Sequence, residues 1–235
     1  PNCSNHMLHA ARYNAVGAEF YGDHYEDEPR FPEAWAKTRL WRRWLPEMMI
    51  DQHGVPDHEW NQPFSGYVPY RFRPFWIPRA FAFVCVPFLD DSSHPNHPLA
   101  LKLVRELNEA MEKEEDICAL NQTLAERYQF YAQNPEPAEF SPVKGEPMLA
   151  VPLLDRTKKV NCAVRFPHIT KCEIIVEVPD EIARGEQLKL CIKSNRIIQQ
   201  TMMDALHSPT ANFQITPIND AIACNLSWES QKEDI

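Results

Sequence analysis

Prolines at positions 63, 69, 74 and 78 return too often between Gln62 and Pro78 for a helix to establish itself. Each ring also pushes the residue before it toward extended backbone, so this stretch is expected to be an extended arm. The feature belongs to a wider bias: the chain has 21 prolines and only 6 glycines. Those glycines stand singly at 17, 22, 54, 66, 145 and 185. No local run of them lets a backbone approach a pyrophosphate closely, which argues against the common nucleotide-binding folds.

With 235 residues, 44% of them hydrophobic, the chain can bury a core as one good-sized domain or two small ones. Large rings gather at one end. Of the 25 aromatic residues, 17 lie between Phe20 and Phe88, and five of the six tryptophans lie between Trp35 and Trp76. Within residues 1–90 one helix reads clearly, opening at Phe31-Pro32-Glu33 with proline in the first turn. Trp41, Trp44, Leu45 and Met48 recur on a helical period there, and Pro46 is expected to kink or end the helix.

A second region, 95–133, opens on the polar run Asp90 to Asn96 with Pro98 in its first turn. Leu103, Ala110, Ile117, Leu124 and Tyr131 fall seven apart, but Glu112 to Asp116 is polar on every face. The spacing fits one long helix with a polar defect or a hairpin that breaks near Lys113, and the hairpin is preferred. The third region, 140–235, reads as an α+β sheet domain. Alternation predicts strands over Cys172 to Val178 and Leu188 to Ile192, paired through a turn at Pro179 to Glu186. Shorter strands are expected at Met148 to Leu154, Val160 to Phe166, Asn212 to Ile215 and Ala221 to Trp228, and a helix at Asn195 to Leu206. The expected fold is therefore α+β: a mostly antiparallel sheet, amphipathic helices and an extended N-terminal aromatic, proline-rich arm.

Motifs of known chemistry are largely missing: there is no Gly-x-Ser-x-Gly elbow, no Cys-x-x-Cys and no His-Glu-x-x-His. One metal candidate remains, the turn carrying His53, Asp57, His58 and Glu59, whose imidazoles and carboxylates suit zinc or a similar ion. Gly54 and Pro56 fit an ordinary solvated loop equally well. The seven cysteines are odd in number and scattered, and most sit in apolar runs, as buried reduced thiols would. No catalytic residue and no cofactor is assigned. No stretch approaches the roughly 20 apolar residues of a membrane helix, and the first residues lack the layout of a secretory signal. A reducing intracellular compartment is expected, with the mitochondrial matrix among the candidates.

The positive signal is arginine interleaved with large rings. Trp35, Trp41 and Trp44 share a helix with Lys37, Arg39, Arg42 and Arg43, while Trp60, Tyr67, Tyr70, Arg71, Phe72, Arg73, Phe75 and Trp76 crowd the arm. These residue types dominate interface hot spots, although the same rings could instead fill the protein's own core. Nucleic acid is a weaker partner: the first 80 residues hold 9 basic and 10 acidic side chains, and the chain carries a formal charge of −9. In general composition the chain is similar to accessory proteins of organellar ribosomes and respiratory complexes, a resemblance that carries no motif or residue across. It implies a non-catalytic structural or accessory subunit of a large intracellular assembly, contacting other protein subunits and RNA at most peripherally. A soluble metal-dependent enzyme using the His53 turn and a monomeric protein- or peptide-binding module are the alternatives.

Overall fold

Proline in its first turn and a charged, ring-bearing sequence behind it form helix α1 (Pro32–Trp44). Its end comes just before Pro46: Leu45 adopts a left-handed conformation (φ 43°) and its N–H bonds the Trp41 carbonyl. A computed structural model of the chain describes residues 23–54, 80–131, 149–152, 161–180, 183–207, 211–218 and 221–228. These contain helices and a small mixed sheet, an α+β arrangement. The proline-punctuated stretch Gln62 to Pro78 lies outside them.

The chain divides into two units, one made of Pro1–Met49 with Leu154–Glu173 and the other of Ile50–Leu153 with Ile174–Ile235. The first holds α1 and the four-residue helix α4 (Cys162–Arg165). Its core is a ring cluster. Trp41 stacks on Phe166 with centroids 4.3 Å apart, and Tyr25 meets both rings edge-on. Cys162, Met49 and Ile169 complete it. Within the segment Val160 to Phe166, expected as a strand, residues 162–165 form α4 instead, because the Asn161 side chain accepts the Val164 N–H at 3.2 Å and caps the helix.

The second unit combines a sheet with three helices. β1 (Met48–Gly54), β2 (Phe83–Val86), β3 (Leu149–Pro152) and β4 (Cys172–Val178) lie in the order β1-β4-β2-β3. The unit boundary falls within β1, after Met49, and within β4, after Glu173. β2 runs parallel to β3 and antiparallel to β4. Along β4, Ile174, Val176 and Val178 are fully buried. The heptad-spaced region forms two helices, α2 (His97–Met111) and α3 (Glu115–Tyr131), separated at residues 112–114. Leu103, Leu107 and Met111 line the buried side of α2. Asn121, a polar residue on the α3 seam, is buried because its Oδ1 accepts the Phe81 N–H at 2.6 Å.

The expected strand over Leu188 to Ile192, and with it the hairpin to β4, is corrected: this segment begins the 22-residue helix α5 (Gly185–Leu206). Cys191, Ser194, Ile198, Thr201, Met202 and Ala205 form its buried face on a helical period, and α5 packs against α2. Gln187 to Lys193 is mostly straight-chain residues of high helix propensity, so once the downstream turns form, propagation upstream is favoured over an isolated strand. β5 (Ala211–Ile218) and β6 (Ala221–Trp228) make a separate antiparallel pair. Among the described residues no helix is long and apolar enough to cross a membrane.

Candidate functional site

Helix α1 presents two opposed faces. On the buried side Ala34, Thr38 and Trp41 repeat at i, i+4 and i+7. Thr38 Oγ1 accepts the Tyr25 N–H at 3.0 Å and donates to the Ala34 carbonyl. Trp41 Nε1 donates to Thr170 Oγ1 at 2.8 Å, and that hydroxyl donates in turn to the Pro46 carbonyl. Every polar atom that Trp41 and Thr170 carry inward is thus satisfied. Lys37, on the shoulder, reaches the buried Glu173 carboxylate at 2.8 Å. Glu173 also accepts the Cys162 N–H, so its charge is doubly held.

The outer side is different in kind. Ala36, Leu40 and Trp44 follow one another at i, i+4 and i+8, all exposed, with Leu40 at 60% and Trp44 at 71%. Arg39 lies 5.5 Å over the Trp35 ring and Arg43 5.7 Å over the Trp44 ring. Rings, an aliphatic stripe and guanidinium groups therefore meet on one solvent-facing arc.

The interface residues named from the sequence fall in different places. Trp35 is half-buried, Trp41 is core at 5% exposure and Trp44 is exposed. Trp60, Tyr67, Tyr70, Arg71, Phe72, Arg73, Phe75 and Trp76 lie outside the described residues. Leu40 was not among them; its i+4 spacing from Ala36 and to Trp44 is the signal that finds it.

Of the metal candidates, His53 is exposed on β1 and its Nδ1 stands 3.3 Å from both oxygens of Glu177. Asp57, His58 and Glu59 lie outside the described residues. Among the described residues no group of three or more His, Cys, Asp or Glu side chains could hold a metal. Three of the described thiols are poor nucleophiles. Burial, with the charge of Glu177, raises Cys85 far above the ordinary thiol range; burial and Glu173 do the same to Cys162 and push Cys172 up to about 12.

Comparison with models of protein families, with curated proteins and with solved structures gives no match.

Proposed function

We propose that this chain is a non-catalytic accessory subunit of a large intracellular assembly, of the kind that organellar ribosomes and respiratory complexes exemplify, held mainly by protein–protein contacts. The observation that carries the reading is the outer face of α1. A tryptophan 71% exposed beside a leucine 60% exposed, with arginines over the neighbouring rings, is the composition of an interface hot spot rather than of an ordinary solvated face. The ring- and arginine-rich arm between Trp60 and Trp76 belongs to the same proposal, as an extended segment that lies on a neighbouring subunit.

Sedimentation of the endogenous protein tests it. The expected result is a particle far heavier than the 27.3 kDa chain. Loss of that mass on ribonuclease treatment would assign a ribonucleoprotein, and its persistence a protein-only complex. A free monomer overturns the reading and leaves the binding module. One observation favours the metal-enzyme alternative: a carboxylate beside His53 Nδ1 is the outer partner that a metal-ligating imidazole often carries. Stoichiometric metal in the purified chain, lost together with activity in His58→Ala, would install that alternative.

A further inference from the structure

We propose that the outer face of α1 docks an acidic protein segment that brings apolar side chains of its own; the inference rests on the accessory-subunit reading and names the chemistry of the partner. The first ground is how four other cations of this unit are treated; a fifth, Lys171, gives its Nζ to the His168 carbonyl. Lys37 meets Glu173 at 2.8 Å, Arg30 meets Asp23 at 3.1 Å, Arg42 meets Asp27 at 3.3 Å and Arg165 meets Glu26 at 3.8 Å. Among the described residues no carboxylate pairs with Arg39 or Arg43. Those two guanidinium groups border the exposed Ala36, Leu40 and Trp44 stripe and are held over Trp35 and Trp44.

The complement follows from that layout. Arg39 and Arg43 are one helical turn apart, so carboxylates about 5–6 Å apart, as on one face of a partner helix, would meet both. Leu40 and Trp44 call for apolar cover next to those carboxylates. RNA fits less well. Trp44 offers a base a stacking platform but Leu40 beside it offers none, and a polyanion that gains on each phosphate it neutralises would find Arg39 and Arg43 on a chain of net charge −9. An anionic membrane surface is disfavoured on the same ground, because such binding takes a larger cluster of Lys and Arg.

The test uses the full chain and four probes: a helical peptide with a leucine stripe flanked by glutamates four apart, the same peptide with lysines for glutamates, a single-stranded RNA oligonucleotide, and phosphatidylserine vesicles. The glutamate peptide is expected to bind about tenfold more tightly than the lysine peptide, and the double variant Arg39→Glu/Arg43→Glu to reverse that order. Leu40→Ala/Trp44→Ala should weaken both peptides. All four positions face outward, and circular dichroism checks that the variants fold. Equal binding of the two peptides, no binding of either, or tighter binding of RNA or vesicles overturns the proposal. Sedimentation keeps the two readings apart. A free monomer that shows the charge reversal removes the assembly and leaves the docking face, whereas a large particle that still incorporates the double arginine variant removes the docking face alone.

Discussion

Trp41 and Trp44 stand three positions apart on one helix and have opposite fates. The buried arc of α1 is narrow, centred on Ala34, Thr38 and Trp41, so three residues further on the ring has turned into solvent. Trp41→Ala removes a ring stacked on Phe166 and a hydrogen bond to Thr170, and should cost about 3–5 kcal/mol in urea unfolding. Trp44→Ala should stay within about 0.5 kcal/mol of the parent. Lys37→Met leaves the buried Glu173 carboxylate with its amide bond but no cation, and should cost about 2 kcal/mol in the same measurement. The periodicity placed both tryptophans on a helix; it carried no sign of which one was core, because the rings that claim Trp41 come from Tyr25 and Phe166.

At the scale of elements, local signals worked where they agreed with the packing. Proline opened α1, the Glu112 to Asp116 run marked the break between α2 and α3, and alternation marked β4. The start of α2 carries a pH dependence. His94 lies flat on Phe88 at 3.5 Å and its Nδ1 accepts the Asn96 N–H at 3.1 Å. Burial holds its pKa below the usual 6.5 against the pull of Asp91. The folded state therefore binds this proton less readily than the unfolded one, so the contribution is whole above about pH 6.5 and is lost as pH falls through the lower, folded value. Protection of the Asn96 amide, its exchange measured against the intrinsic rate that itself slows as pH falls, should drop between pH 7 and pH 5; protection that stays constant would refute this. At the start of α5, Gly185 has φ +56° and open space around it, so an alanine there meets strain and no clash. Gly185→Ala should cost about 1 kcal/mol by thermal unfolding. From Leu188 to Ile192 the local pattern points away from the helix that forms. Two leucines and an isoleucine at alternate positions fit a strand, yet Leu188 and Ile192 are exposed and Cys191 is what the helix buries.

Across the whole molecule, composition changes along the chain in three stretches, whereas contact divides it into two units whose boundary cuts β1 and β4. The scatter of the cysteines points to buried thiols; among the described residues Cys85 and Cys118 are half-buried, whereas Cys162, Cys172 and Cys191 are buried. In the native chain at pH 8 these three should resist a disulfide reagent, located by mass spectrometry, under conditions in which all seven react once the chain is denatured; early labelling of Cys172 would contradict its raised pKa. What the sequence determined by itself is what near neighbours control: where helices can begin and break, and which run alternates. Tertiary structure alone decided which tryptophan is core and that Glu173 is a buried charge. Those outcomes depend on partners far away in the chain, as Thr170 is from Trp41 across 129 positions. Burial is a property of what closes over a side chain, and no local pattern encodes that.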